Sequence, residues 1–204
     1  MSNTISKQPV CMVIGAGAGI GGNVAKRFAK EGFHSVLCRR SNQHGLDDLI
    51  RGIEEEGGTA SGFLINVVEP ESIEECVEKV EDDIGPIETL VFNLGAQVGN
   101  KSLSETTYKI FELGWRLATF SLFRTASSVL PKMEKRGKGS FLVTTSTAAF
   151  RGNAGQHSHA SAMGGRRMLC QSLNAELASK GIHICLLYTS DAADEGLGVD
   201  LGGR

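Results

Sequence analysis

The amino-acid sequence predicts a three-layer α/β/α domain built on one doubly wound parallel sheet. Short apolar runs alternate with longer amphipathic segments from end to end, and a glycine-rich stretch directly follows the first apolar run. Strands that alternate with helices are typical of βαβ units, in which helices cover both faces of a parallel sheet. The length of 204 residues suits a single domain with a sizeable core.

The individual elements follow from the apolar periodicity and from residues that begin or end helices. An acidic first turn favours a helix beginning at Glu71, Gly181 is expected to end the last helix, and Pro131 is expected to interrupt the fourth. The predicted strands are Val10–Ile14, His34–Cys38, Ala60–Ile65, Thr89–Phe92, Ser140–Thr145 and Ile182–Leu187. The predicted helices are Gly19–Glu31, Leu46–Glu56, Glu71–Ile84, Thr106–Lys135 and His159–Lys180.

Composition excludes several classes of protein. The 21 basic and 23 acidic residues leave a formal charge of −2, which is unlike a nucleic-acid-binding protein. No stretch is apolar enough to span a bilayer or to act as a signal peptide, so no membrane partner is expected. The five cysteines are scattered without a Cys-x-x-Cys pair, so we expect no disulfide framework, no metal site and a cytoplasmic location.

The glycine-rich stretch Gly15–Gly22 predicts a dinucleotide-binding turn between the first strand and the first helix. Its glycines fit two patterns, one using the first, fifth and seventh positions and one using the third, fifth and eighth. We prefer the first pattern because Gly15 directly follows the strand. Glycine lets the backbone approach a diphosphate whose charge faces the helix amides, as in Rossmann-type folds. The alternative is a turn that serves strand–helix packing alone.

The residues after the second strand favour NADP(H) over NAD(H). An enzyme that uses NAD usually places a carboxylate there for the ribose hydroxyls, whereas this chain has Arg39 and Arg40. Guanidinium groups bind a phosphate through paired hydrogen bonds, which suits the 2′-phosphate of NADP(H). The alternative is that these arginines are ordinary surface charges.

Several motifs together resemble the short-chain dehydrogenase/reductase family over roughly residues 9–184. Gly15–Gly21 looks like the cofactor turn of that family, and Asn93–Ala96 is similar to its Asn-Ala-Gly motif. Thr144–Ser146 resembles the segment that carries the catalytic serine. The resemblance implies a nicotinamide cofactor and hydride transfer to or from a small-molecule carbonyl or alcohol. The cofactor-binding residues expected on these grounds are Gly15, Gly17, Gly19, Ile20, Gly21, Arg39, Arg40, Asn66, Val67, Asn93 and Gly95.

The catalytic positions of the family are matched only in part. The resemblance assigns the serine that orients the substrate oxygen to Ser146, but the positions of the family's tyrosine and lysine fall on His159 and Met163. The position of its asparagine falls on Ala118, and Asn66 stands where an aspartate is common. The predicted catalytic residues are therefore Ser146 and His159.

The exchange of tyrosine for His159 leaves two interpretations open. Imidazole titrates near neutral pH without help from a lysine, so Ser146 and His159 could polarise or deprotonate an oxygen. Arg167, one helical turn beyond Met163, is a candidate for additional charge. Alternatively, His159 is an inactive substitution, and the chain is a dinucleotide-binding sensor or partner protein without catalysis.

The C-terminal residues depart from the family pattern. The stretch Cys185–Glu195 resembles translated adapter sequence, and the end Gly196–Arg204 is rich in glycine. The sequence therefore predicts one dinucleotide-binding domain over 1–184, truncated at its C-terminus, and a non-native or disordered tail over 185–204. The resemblance also implies a homodimer or homotetramer formed through the long helices Thr106–Leu130 and His159–Leu177.

Overall fold

The computed structural model describes residues 7–95 and 99–188 and contains one parallel sheet of six strands in the order β3-β2-β1-β4-β5-β6. The strands are β1 Val10–Ile14, β2 His34–Arg39, β3 Thr59–Leu64, β4 Ile87–Phe92, β5 Gly139–Thr145 and β6 Ile182–Tyr188. The helices are α1 Ile20–Lys30, α2 Gln43–Glu54, α3 Ser72–Lys79, α4 Tyr108–Trp115, α5 Ser121–Arg136 and α6 His157–Leu177. The predicted doubly wound α/β fold is confirmed.

Strand β1 lies at the centre of the sheet, where the strand order reverses. It pairs with β2 on one side and with β4 on the other, so that Val13 lies opposite both Leu37 and Val91. In such sheets, ligands bind beyond the carboxyl ends of the strands at this reversal point. The ends of β1, β2, β4 and β5 are therefore the expected site.

The residues of β1 alternate between the two faces of the sheet. Val10, Met12 and Ile14 pack in the larger apolar cluster, whereas Cys11 and Val13 pack in a smaller cluster on the opposite face. All five are buried, because helices cover both faces and leave neither for solvent. An uninterrupted apolar run is the sequence signature of such a strand.

The long fourth helix is interrupted at a different place from the one predicted. Pro131 lies inside α5, which continues to Arg136, and the break is a π turn over Arg116–Phe120 between α4 and α5. The proline is exposed, so the carbonyl that loses its helical partner can bind water. The prediction of an interruption near Pro131 is therefore wrong.

The last strand extends further than the predicted domain. β6 runs past residue 184 to Tyr188, and Cys185 and Tyr188 pair with Leu142 and Thr145 of β5. The apolar residues of this stretch continue the parallel pairing, as expected from the predicted strand Ile182–Leu187, and the boundary between domain and tail at residue 184 stays a prediction. The rest of that tail, 189–204, and Ala96 of the Asn93–Ala96 motif lie outside the described residues.

No helix in the described ranges is both long and apolar enough to cross a membrane.

Candidate active site

The turn after β1 needs some of its glycines for packing and leaves others facing open space. Gly15 has φ +92°, and a Cβ there would lie 2.5 Å from the carbonyl oxygen of Asn93. A Cβ on Gly21 would lie 2.5 Å from the carbonyl oxygen of Gly15. By contrast, a Cβ on Gly17 or Gly19 would meet no atom within 4 Å. Packing explains the first pair, whereas the second pair leaves a cradle beside the start of α1.

The start of α1 is suited to an anion. The first backbone N–H groups of a helix have no partner within it, and together with the helix dipole they favour negative charge. Gly19 is the N-cap residue and supplies no side-chain cap, and the first turn contains no acidic residue. Ile20, which begins the helix, is 47% exposed. The open cradle and these amides fit the diphosphate of a dinucleotide.

A pocket of about 200 Å³ lies beside this turn at the carboxyl ends of β1, β2 and β3. Six of the residues expected to bind the cofactor line it: Gly15, Arg39, Arg40, Asn66, Val67 and Gly95. Leu117, from the π turn, also lines it and was not expected from the sequence. Gly17 and Gly19 belong to the turn that continues from Gly15, and Ile20 and Gly21 begin α1.

The two arginines at the end of β2, Arg39 and Arg40, have no carboxylate partner among the described residues. Arg39 extends over the first turn of α2, where a Cβ on Gly45 would lie 3.0 Å from its Nη1. The turn is held by Asn42, whose φ is +70° and whose Oδ1 accepts a hydrogen bond from the backbone of Gly45 at 2.9 Å. Two guanidinium groups and the start of a helix thus surround one side of the pocket.

The loop after β3 is held in place by an arginine that sequence reasoning missed. Arg124 of α5 donates to both carboxylate oxygens of Glu74 and, through Nη1, to the carbonyls of Val67 and Glu69 at 3.0 and 2.9 Å. These hydrogen bonds hold the pKa of the Glu74 carboxyl below its usual range. Asn66 donates to Glu69 Oε1 at 3.1 Å within the same loop. The partners of Arg124 are about 50 residues away in sequence, so no local pattern could have indicated them.

A second pocket of about 200 Å³ lies at the carboxyl ends of β4 and β5. Asn93, Gly95, Ser146 and His159 all line it, so the predicted catalytic residues lie beside two of the predicted cofactor residues. The Oγ atom of Ser146 is buried and has no hydrogen-bond partner among the described residues. A buried hydroxyl without a partner is costly and is available to bind a ligand oxygen.

The two pockets adjoin each other at the end of β4. Leu94 and Gly95 line both of them. Asn93 supports this junction by donating from Nδ2 to the carbonyl of Gly15 at 3.0 Å. A ligand that follows the carboxyl edge of the sheet can therefore occupy both pockets.

The positions expected for the asparagine and lysine of the family form an apolar patch. Ala118 and Met163 are buried together with Ala148, Ala149 and Ala162. Neither residue can supply charge or hydrogen bonds from its side chain beyond a weak acceptor sulfur. At these two positions the buried side chains therefore supply no charge to the pocket.

The arginine that faces the second pocket is Arg166, which sequence reasoning did not select. Arg166 is 1% exposed, and its guanidinium donates to the carbonyls of Ala118, Thr144 and Leu94 at 3.1, 2.8 and 3.0 Å. Burial lowers the pKa of Arg166 to about 10, so the group is charged at neutral pH. Arg167, the residue suggested by helical spacing, instead lies over the Phe150 ring, 4.7 Å from its centroid.

Residues 9–192 of the chain match the short-chain dehydrogenase family. The match covers most of the chain, and the chain belongs to that family. The resemblance inferred from the sequence motifs is thereby confirmed. The relatives described next are oxidoreductases by name.

Two named relatives illustrate the similarity. The 3-oxoacyl-[acyl-carrier-protein] reductase of Thermotoga maritima is 28% identical over 179 residues, which cover 86% of this chain and 70% of the relative. A short-chain dehydrogenase from Rhodopseudomonas palustris has a solved structure that superposes with a TM-score of 0.85 at 32% identity, covering 91% of this chain and 86% of its own.

Two further solved structures contain nicotinamide cofactors. The actinorhodin polyketide ketoreductase with NADPH has a TM-score of 0.82 at 28% identity, covering 88% of this chain and 69% of that one. The 7α-hydroxysteroid dehydrogenase with NADH has a TM-score of 0.81 at 27% identity, covering 89% and 69%. Relatives of this fold therefore include one bound to each cofactor.

Proposed function

We propose that this protein is an NADP(H)-dependent oxidoreductase that interconverts a carbonyl and an alcohol on a small molecule. The observation that carries the proposal is the pair of adjoining pockets. One holds Arg39 and Arg40, and the other holds Ser146 and His159. This arrangement suits a dinucleotide along the sheet edge with its reactive end beside a proton donor.

The preference for NADP(H) is proposed from the two arginines. Neither Arg39 nor Arg40 has a carboxylate partner in the described part of the chain, and both line the pocket that fits the adenosine end. A 2′-phosphate adds negative charge there and accepts bidentate hydrogen bonds. Because relatives of known structure include complexes with NADPH and with NADH, the family alone does not decide the cofactor.

The chemistry needs a proton as well as a hydride. When bound, NADPH supplies a hydride to the carbonyl carbon, and NADP⁺ accepts one from the alcohol carbon in the reverse direction. In the direction of reduction, the Ser146 hydroxyl donates a hydrogen bond to the substrate oxygen. The protonated imidazole of His159 then gives a proton to that oxygen, and neutral imidazole takes it back in the direction of oxidation.

A second candidate function is dinucleotide binding without catalysis. It is favoured by the apolar patch around Ala118 and Met163, because that patch occupies the positions expected for two members of the family's catalytic set. The cofactor cradle serves both functions equally. Only turnover separates them.

The test compares cofactor binding with turnover. Purified protein is titrated with NADPH and with NADH by fluorescence, and NADPH oxidation is then followed against a panel of ketones and aldehydes. We expect NADPH to bind at least about 10-fold more tightly than NADH, since a charge-assisted hydrogen bond to phosphate contributes about 1.5–3 kcal/mol.

The matched variants are His159→Gln and His157→Gln, which lie two residues apart at the start of α6. We expect the first to bind NADPH normally and to lose about 100-fold or more in kcat, and the second to resemble wild type. NADPH binding without turnover on a broad panel would favour the non-catalytic function. No binding of either cofactor to folded protein would contradict both.

We also propose self-association through the face formed by α5 and α6. A groove between these helices is lined by apolar side chains that include Phe123, Leu130 and Leu173. Phe123 is half exposed in the single chain. Burial of such a surface against a second copy would be favourable.

A further inference from the structure

The second pocket contains a buried positive charge with no opposite charge to balance it. Arg166 is almost completely buried, and no carboxylate pairs with it in the described ranges 7–95 and 99–188. Its partners are three main-chain carbonyls and the ring of Phe92, whose centroid lies 5.1 Å from its Cζ. These groups hold the guanidinium in place but carry no net charge.

The position of this charge follows from three separate elements. Ala118 lies in the π turn, Thr144 in β5, and Leu94 two residues after the end of β4, and each offers a carbonyl oxygen to Arg166. A π turn leaves a carbonyl without its usual helical partner, which makes that of Ala118 available. The guanidinium is therefore fixed where the ends of β4 and β5 meet the long helix.

The same guanidinium lines the pocket that contains Ser146 and His159. His159, Met163 and Arg166 are separated by four and three residues, so they share one face of α6. Three of the five N–H groups of an arginine are used by the carbonyls, which leaves two without a carbonyl partner in the described part of the chain. The charge of Arg166 is thus presented to this pocket rather than to solvent.

We propose that Arg166 is the electrostatic residue of this pocket, where its fixed positive charge stabilises negative charge on a bound oxygen and disfavours an oxidised nicotinamide. A preorganised charge in a site that excludes water acts more strongly than the same charge in water. Met163, one turn earlier, supplies no charge, so Arg166 is the permanently charged member of these three residues. The inference rests on the proposed dinucleotide binding.

The test uses the charge difference between the two forms of the cofactor. The nicotinamide ring of NADP⁺ is positively charged, whereas that of NADPH is neutral, so a nearby cation weakens binding of NADP⁺ selectively. The readout is the ratio of the dissociation constant of NADP⁺ to that of NADPH, measured by calorimetry on the full chain without any substrate. A purely structural role for Arg166 would change both constants together.

Four variants separate charge from hydrogen bonding. Arg166→Gln removes the charge and should lower the ratio by about 5- to 10-fold, as expected for one charge at an intermediate effective dielectric. Arg166→Lys keeps the charge and should keep the wild-type ratio. Arg167→Gln is the matched control, since that arginine stacks on Phe150 outside the pocket. Met163→Lys leaves the three hydrogen bonds of Arg166 intact and should raise the ratio.

The outcomes distinguish this inference from the proposed function. If wild-type protein binds neither cofactor, the proposed function fails and this role fails with it. If it binds both, and the ratio is the same in wild type, Arg166→Gln and Met163→Lys, this inference alone is overturned. Melting temperatures of all variants show whether each is folded. If Arg166→Gln does not fold, Met163→Lys decides the question by itself.

Discussion

Gly15 and Asn93 are in such close contact that a substitution at either residue would disturb the other. Asn93 donates from Nδ2 to the carbonyl of Gly15 at 3.0 Å, and its own carbonyl oxygen would lie 2.5 Å from a Cβ on Gly15. This contact connects the turn after β1 to the end of β4. It brings the open space beside Gly17 and Gly19 close to the pocket of Ser146 and His159.

Replacement of Gly15 should therefore damage the fold itself. In Gly15→Ala, the methyl group meets the Asn93 backbone, and φ +92° is unfavourable for a residue with a side chain. We expect a loss of roughly 2–5 kcal/mol in the free energy of unfolding, combining about 1–2 for the backbone with about 1–3 for overpacking. Denaturant-induced unfolding measures this loss, and a change below 0.5 kcal/mol (a rough limit for neutral surface substitutions) would contradict the predicted clash.

The matched control separates stability from binding in the same turn. A Cβ on Gly17 meets nothing within 4 Å, so Gly17→Ala should leave the free energy of unfolding within about 0.5 kcal/mol of wild type. Its methyl group should instead occupy cofactor space and weaken NADPH binding. If NADPH binds this variant as tightly as wild type, the open space beside Gly17 is not the cofactor cradle.

The two arginines at the end of β2 should determine the choice between cofactors. In the double variant Arg39→Gln, Arg40→Gln, the dissociation constant of NADPH should rise about 10- to 100-fold because charge-assisted phosphate contacts are lost. That of NADH, which has no 2′-phosphate, should change little. Arg51→Gln on α2, whose arginine pairs with Asp48, is the control. Equal weakening of both cofactors would argue against a phosphate contact.

The hydrogen bonds from Arg124 to Glu74 predict a pH-dependent contribution to stability. Because they hold the pKa of the Glu74 carboxyl below its usual range, the unfolded chain binds the proton more readily than the folded one. The stability that these hydrogen bonds add to the fold is then fully present above the pKa of Glu74 in the unfolded chain. It is lost as the pH falls through the pKa of Glu74 in the folded chain. The stability difference between wild type and Glu74→Gln should shrink on acidification below about pH 4.3, the usual glutamate value.

Unfolding of both proteins by denaturant, repeated between pH 7 and pH 3, measures that difference. Glu55→Gln is the control because Glu55 is exposed and has no ion pair among the described residues. A stability difference for Glu74→Gln that stays constant over this range would refute the assigned role of Arg124.

The apolar groove between α5 and α6 should mediate self-association. In Phe123→Glu, a charge replaces a half-exposed aromatic ring in that groove, so the protein should sediment as a smaller species than wild type at equal concentration. Leu64→Glu, on the edge strand β3 at the far side of the sheet, should leave the sedimentation coefficient unchanged. Wild-type protein that sediments as a monomer would rule out association through this face.

The positions of the strands and the edge of the sheet that holds the site were accessible from local sequence because local physics determines them. The apolar residues of β1 recur without a polar interruption, which indicates a strand covered on both faces, and Gly15 directly follows it. Parallel strands bring their carboxyl ends to one edge, so residues placed after β1, β2, β4 and β5 had to lie near one another. The family motifs added the expectation that Ser146 and His159 meet, and both line one pocket.

Other features depended on contacts that no local pattern contains. Pro131 is a helix breaker by its chemistry, yet α5 continues through it, and the break lies at a π turn whose Ala118 carbonyl binds Arg166. Arg124 reaches a loop about 50 residues away in sequence. Long-range partners of this kind are set by how the helices pack on the sheet.

The choice between Arg166 and Arg167 shows what the sequence alone could not predict. Its composition, periodicity and motifs determined the class of fold, the family and the edge of the sheet where a cofactor fits. Helical spacing allowed either arginine to share a face with Met163, since neighbours lie three or four residues apart. Only the tertiary structure decided that Arg166 is buried at the pocket, because the crossing of α6 over the ends of β4 and β5 sets which side of the helix meets their carbonyls.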